Sequence, residues 1–220
     1  MKNLPIRLTL VCVILVSCGG SGRDPALSGQ EVRGSYLGQS PPGSVPLQFA
    51  PEIITLELHS SPVFSPDGRE VFWTEMDGGG IRWMRLVNGV WSGPSDPPFA
   101  LPNSGEPVFG PLGDTLYFLS AHRFEGSRGN WDEDVWRTAR AGSGWTEAQR
   151  LPPPVNNHPM HWGVSLAANR NLYVGQTEGA GGIYFSEFRD GEYLFFLRTV
   201  NGELTPFWVR ATVITDLQPT

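Results

Sequence analysis

The sequence predicts an all-β chain assembled from repeated small antiparallel sheets. Three observations carry that reading. Short runs of β-branched and aromatic residues alternate with Gly- and Pro-containing turns. One hairpin-like stretch recurs, 45 residues on from Val63 to Val108 and 56 further on from Val108 to Val164. Outside the N-terminus no stretch of good length has helical periodicity. The 27 Gly and 20 Pro sit at turns between apolar runs, which marks turn-rich β structure and not disorder.

Ser61 to Glu75, SPVFSPDGREVFWTE, sets the pattern. Val63-Phe64 and Val71-Phe72-Trp73 suit a buried pleated surface, and Pro66-Asp67-Gly68 supplies the turn between them. Glu106 to Ser120, EPVFGPLGDTLYFLS, is a second copy, and Trp162 to Val174, WGVSLAANRNLYV, a worn third. Glu192 to Arg198, EYLFFLR, is a fragment of another. A third strand follows each: Ile81–Arg85, Val135–Thr138, Ile183–Ser186 and Phe207–Arg210. Asn88-Gly89-Val90-Trp91 and Gly142-Ser143-Gly144-Trp145 add a turn and a fourth strand. Four short strands recurring every 40–50 residues or so are the signature of a propeller blade. The fold class is therefore all-β, a partial β-propeller of about three to four four-stranded blades.

Taken in order, residues 1–17 read as a signal peptide, 18–50 as a flexible tether and 51–220 as the incomplete propeller domain. Lys2 and Arg7 form a basic start, and Leu8 to Val16 is an apolar run too short to span a bilayer comfortably. The region from Gly19 to Ala50 is rich in Gly, Ser, Pro and Gln without periodicity. Ile53 to Leu58 alternates weakly and reads as a lone strand. In the third unit, Asp190-Gly191 is a good hairpin turn, but Glu192 to Leu197 reads as the second strand of a later blade. A deletion between two similar tetrapeptides would leave such a junction.

Two resemblances follow. Leu15-Val16-Ser17-Cys18 resembles the lipobox of bacterial lipoproteins. It implies cleavage before Cys18, a lipid on Cys18, and, with Gly19 next, the outer membrane of a Gram-negative host. Phe64-Ser65-Pro66-Asp67-Gly68, Glu106-Pro107-Val108-Phe109, Asn88-Gly89-Val90-Trp91-Ser92-Gly93-Pro94, His161-Trp162-Gly163-Val164-Ser165 and Asp190-Gly191-Glu192-Tyr193-Leu194-Phe195-Phe196 together resemble the WD40-like (PD40, TolB-like) repeats of bacterial envelope proteins, from about Pro51 onward. The resemblance implies a ring of about five or six blades. This chain supplies about three and a half. An open arc, a partner or second copy completing the ring, or a poorly stable product are all open. The blades themselves are expected to stack face to face.

Removing Lys2 and Arg7 from the 16 basic residues leaves 14 against 22 acidic ones, a net charge of −8. That excludes nucleic acid as an expected partner, and attraction to anionic lipid heads as the means of attachment. Cys12 lies in the discarded segment and Cys18 takes the lipid, so no Cys remains for a disulfide or metal. No cofactor is implied. Asp132, Glu133 and Asp134 follow a Gly-rich stretch and could offer oxygens to Ca²⁺, but without EF-hand spacing they read as solvated charge. His158 and His161 lie near an inner-strand end, where one of them could contact a ligand or metal; loop and packing roles are the plainer reading. The strand Trp residues 73, 83, 91, 136, 145 and 208 read as packing between blades. Trp131 falls off the repeat register. Candidate binding residues are thus His161, Trp162 and Trp131, with no catalytic or metal set. Nucleophile motifs are absent, and the Gly runs at 78–80 and 179–182 lack a following helix or Lys.

The function these readings support is an envelope-anchored protein- or glycan-binding or scaffolding module. The rival is a remnant or relative of a propeller hydrolase or lyase acting on polysaccharide or peptide. Channel-facing carboxylates or His clustered within about 4 Å would favour the enzyme. A deletion product without activity is a third reading. The lipid anchor has a direct test: labelled fatty acid should enter the wild-type protein and not Cys18→Ala, and equal labelling of both would end the lipoprotein reading.

Overall fold

The first hairpin closes as its residues dictate. Ser65 N–H donates to the Glu70 carbonyl at 2.9 Å and Gly68 N–H to the Ser65 carbonyl at 2.8 Å. Gly68 takes φ +67°, which an L side chain enters at a cost. The buried Ser65 hydroxyl donates to Asp67 Oδ1 and accepts from the Glu70 N–H at 2.9 Å. This hydroxyl, helped by the Arg69 N–H and the charges of Arg140 and Arg69, holds the Asp67 carboxyl below its ordinary value against the opposing pull of burial. The second copy makes the same turn with Gly110 in place of Ser65. A Cβ there would run into Thr115 Oγ1, so the position takes glycine. Gly113 of this turn lies against Pro66 of the first, which brings the two hairpin ends together.

The computed structural model describes residues 31–41, 43–76, 80–122, 133–152, 155–157, 163–176 and 182–195. Its strands form three antiparallel sheets in chain order. The first sheet is β1 (Leu58–Phe64), β2 (Glu70–Glu75), β3 (Gly80–Val87) and β4 (Val90–Trp91). The second is β5 (Ser104–Phe109), β6 (Thr115–Ser120), β7 (Asp134–Ala141) and β8 (Gly144–Trp145), with β9 (Gln149–Arg150) also on β7. The third is β10 (Val164–Leu166), β11 (Leu172–Gln176), β12 (Gly182–Arg189) and β13 (Glu192–Phe195). Asn88-Gly89 and Asp190-Gly191 both carry positive φ at both residues, the tight turn that matches strand twist. Three successive four-stranded meanders are the blades of a partial propeller, as the repeats predict.

Each blade is apolar on both faces, and three cores lie between layers. Phe72, Ile81, Phe99, Leu116, Phe118, Trp136 and Trp145 fill the space between blades one and two. Tyr117, Leu119, Val135, Leu172, Val174 and Tyr193 fill that between blades two and three, where the Tyr117 and Tyr193 hydroxyls lie 3.0 Å apart. Burial chiefly, and the bond from Tyr117 next, raise the Tyr193 hydroxyl pKa. The buried Asn156 amide bonds both the N–H and the C=O of Val135 and so stands in for a strand partner on the β7 edge.

Three expectations are corrected. Residues 31–50, read as tether, pack on the free face of blade one. Leu37, Ala50, Ile53 and Ile54 bury against Val71, Trp73, Met84 and Trp91. Trp91 N–H donates to the Val32 carbonyl and its indole to that of Gly34, so this segment also pairs the outer edge. Uncovered sheet faces and edges are costly in water, and the Pro- and Gly-rich chain follows the face without needing regular structure. Secondly, Ile53 and Ile54 are part of this cap, in a turn bonded to the Ala50 carbonyl, and the strand begins only at Leu58. Thirdly, β13 pairs with β12 as the outer strand of blade three. The Asp190-Gly191 turn returns the chain at once, so the nearest open edge takes the next apolar run.

One buried charge ties blade one to blade two. Glu70 is 3% exposed, and its Oε1 accepts from the indoles of Trp83 at 3.1 Å and Trp145 at 3.2 Å. Its Oε2 pairs with Arg140, whose guanidinium lies 4.2 Å from the Trp145 ring centroid. Trp145 and Arg140 belong to blade two. Desolvation of a carboxylate is expensive unless such donors surround it. Glu70→Ala should therefore cost about 3 kcal/mol in denaturant unfolding. A double-mutant cycle with Arg140→Ala should return a coupling of about 1–2 kcal/mol. Additive losses would remove the ion pair from the interface.

Candidate functional site

The first strands of the blades, β1, β5 and β10, lie side by side, with β5 touching both others. Each is the edge strand of its own sheet. Both β1 and β5 are interrupted there. Pairing of β5 with β6 runs Gly105↔Leu119 and resumes at Val108↔Tyr117, so Glu106 and Pro107 share one partner position. In β1 the same break falls between Ser60↔Thr74 and Val63↔Phe72. Blade three pairs without it, through Val164↔Val174 and Ser165↔Tyr173.

The β5 bulge presents Glu106. Its φ is +53°, a left-handed conformation that costs a non-Gly residue roughly 1–2 kcal/mol. Its side chain is 28% exposed and reaches His59 of β1, Nδ1 to Oε1 3.1 Å. Its other oxygen lies over Gly163, 3.8 Å from where a Cβ would stand. Glu106 thus sits on β5, bonds to β1 and lies near the residue that precedes β10. Burial pushes its carboxyl above the ordinary value, and His59 offsets part of that. Gly105 permits the approach: a Cβ there would meet Thr74 Cγ2 at 3.3 Å and His59 Nδ1 at 3.9 Å.

Chemically this is a carboxylate-oriented imidazole. A proton on Nδ1 donates to Glu106 and leaves Nε2 as an acceptor on a side chain 52% exposed. Such a pair can hydrogen-bond a hydroxyl or amide, hold an anion when protonated, or act as a base. Metal chemistry has less support: among the described residues no group of three or more His, Cys, Asp or Glu could hold an ion.

The sequence-derived candidates His161, Trp162 and Trp131 lie outside the described residues, as do Cys18, His158 and Asp132. Asp134 is buried and bound through both oxygens to Arg150, at 2.6 and 2.8 Å, which commits it to a structural ion pair. Of the repeated Trp residues, Trp83, Trp136 and Trp145 pack between blades one and two as expected, whereas Trp73 and Trp91 pack under the N-terminal cap and not against a blade. Sequence reading missed His59 and Glu106. The one available signal was that Glu106 opens the second hairpin copy where the first has Ser61.

No family model matches the chain, and no curated protein matches it. Among solved structures it is similar to TolB from Acinetobacter baumannii, at 18% identity and TM-score 0.43, over 63% of this chain and 32% of that one. It is also similar to a candidate 6-phosphogluconolactonase from Bacteroides fragilis NCTC 9343, at 16% identity and TM-score 0.40, over 62% and 36%. Another from Bacteroides uniformis ATCC 8492 has 15% identity and TM-score 0.37, over 61% and 38%. The chain thus spans about a third of the length of each. The blade assignment rests on the sheet order and cores above.

The elevated Glu106 carboxyl makes stability depend on pH with a definite sign. Its folded pKa lies above the unfolded value, so ionisation favours unfolding. The cost is absent below the unfolded value of about 4.3 and sets in as pH rises through the folded one. Glu106→Gln should therefore gain on wild type as pH climbs from about 4 to 7 in urea titrations. A constant difference, or one that shrinks, would contradict the placement.

Proposed function

We propose that this chain is a lipid-anchored binding or scaffolding module of the bacterial envelope, and that it engages protein or glycan at the inner-strand face of its partial propeller. The observation that carries the reading is the His59–Glu106 pair, 3.1 Å apart and built from two blades. A polar pair held on rigid strands at a strained bulge is how a fold presents a contact rather than how it packs a core. The PD40-like motifs and the lipobox-like Leu15–Cys18 supply the envelope context, on the periplasmic face of the outer membrane or the cell surface. The net charge of −8 after signal removal keeps nucleic acid out of the reading.

The second reading, a hydrolase or lyase acting on polysaccharide or peptide, is favoured by the same pair, since a carboxylate and an imidazole within bonding distance can move a proton. Among the described residues it is one pair and not a cluster, which is why binding is preferred. Completion of the ring by a second copy is disfavoured by geometry: the free face of blade one is already covered by residues 31–54.

Imidazole proton resonances of His59 should shift on titration with at least one of a panel of neutral oligosaccharides, acidic oligosaccharides and short peptides. His59→Ala and Glu106→Gln should each weaken that binding about tenfold, the equivalent of about 1.4 kcal/mol. A panel that never moves His59, or binding that survives both substitutions, would move the site elsewhere. Turnover of the bound compound, lost in His59→Ala, would decide for the enzyme.

A further inference from the structure

The chain passes from β4 to β5 through residues 92–103, and this connection lies along β3. Trp83 and Ser95 exchange both backbone bonds, at 2.8 and 3.0 Å, and Phe99 is buried in the core between blades one and two. A cleft of about 360 Å³ opens between Gly80 and Ile81 of β3 and the stretch from Asp96 to Ser104. Small-molecule sites have volumes of about 300–1,000 Å³. The far wall is fixed before any ligand arrives. Ala100 N–H donates to the Pro97 carbonyl at 2.9 Å, and the Ser120 hydroxyl donates to the Pro102 carbonyl at 2.9 Å.

One polar group of this wall is unsatisfied. Ser104 is 3% exposed, and its hydroxyl has no hydrogen-bond partner among the described residues. The buried hydroxyls of Ser65 and Ser120 are both bonded. Gly80, with φ +71°, puts no side chain against the Ser104 hydroxyl; a Cβ there would stand 3.5 Å from its Oγ. A buried hydroxyl left without a partner costs stability, so this one gives the fold nothing and is available to a ligand. Asp96 adds a second polar contact. Its Oδ1 accepts from Arg82 Nη1 at 2.7 Å, which offsets its charge, and its Oδ2 carries no bond among the described residues. Ile81 and Leu101 add apolar surface. The cleft thus offers a hydroxyl that donates or accepts, a charge-compensated carboxylate that accepts, and an apolar wall. A neutral ring with hydroxyls and a C–H face answers all three. An anion would meet Asp96, and a cation would find that carboxylate already paired. We propose that the cleft between blades one and two binds a neutral sugar unit, with the Ser104 hydroxyl and Asp96 Oδ2 as its polar contacts. This narrows the protein-or-glycan reading to glycan at a second place, and it does not rest on the His59–Glu106 pair.

Titrating the isotope-labelled full chain with methyl glucoside, methyl galactoside and N-acetylglucosamine, read by amide shifts, tests this. At least one of the three should move the Gly80, Ile81 and Ser104 amides with a millimolar Kd, and the charged relatives glucuronate and glucosamine should bind at least tenfold more weakly. Ser104→Ala should weaken the binding about tenfold without lowering the urea midpoint, because the lost hydroxyl held nothing in the fold. Ala100→Trp, at an exposed position of the cleft, should abolish it by filling the space. Silence from all three sugars, tighter binding of either charged relative, or binding that survives both substitutions would overturn the proposal. The His59 imidazole resonances report the other site separately. Sugar shifts at His59 without shifts at Gly80 and Ser104 would overturn the cleft and leave the inner-strand reading standing, and the reverse pattern would support the cleft alone.

Discussion

A four-stranded sheet that is apolar on both faces cannot bury itself, and this constraint governs the whole molecule. Val71 and Trp73 point one way from β2 and Phe72 the other, and all three are fully buried. Each needs a separate layer. The chain meets the need three times, with the segment 31–54 in front of blade one, blade one against blade two, and blade two against blade three. The N-terminal segment does with irregular backbone what a preceding blade would do with strands. Its contribution lies in the area it removes from water, at about 25 cal/mol per Å² of apolar surface.

Polar groups enter this arrangement where position matters more than area. Glu70 is a charge in an apolar seam, and the two indoles and Arg140 around it fix how blade two sits on blade one. An apolar residue could fill the volume but would not supply these directional bonds. Glu106 serves the other end of the sheets. There the backbone is bent into the left-handed region, and a half-buried carboxylate bonds to blade one and lies near Gly163, just before blade three. Strain and desolvation at a solvent-facing edge set this residue apart from the buried ties.

Much of the fold was legible because its signals are local. Pro66-Asp67-Gly68, Asn88-Gly89 and Asp190-Gly191 name their turns, and alternating aromatic runs name the strands beside them. The cap was not legible: residues 31–54 have no periodicity, and Leu37 reaches the core through a turn with φ +50° at Tyr36 and +56° at Leu37. Glu192 to Leu197 was misread because an apolar run after a hairpin turn looks alike in second and fourth strands; only the vacant edge of β12 decides. The His59–Glu106 pair joins residues 47 apart in sequence through a bulge at a non-Gly position, which no local pattern announces. Glu70 likewise reads as a solvent-facing charge after a turn until a neighbouring blade closes over it.

If no layer can stand without the next, the layers must unfold together. Urea unfolding followed by Trp fluorescence, which reports the interfaces, and by far-UV circular dichroism, which reports the strands, measures this directly. The two curves should superimpose in one transition whose slope matches the surface of the whole arc. A fluorescence change completed well before the strands melt would mean blades that persist apart, and would contradict the account.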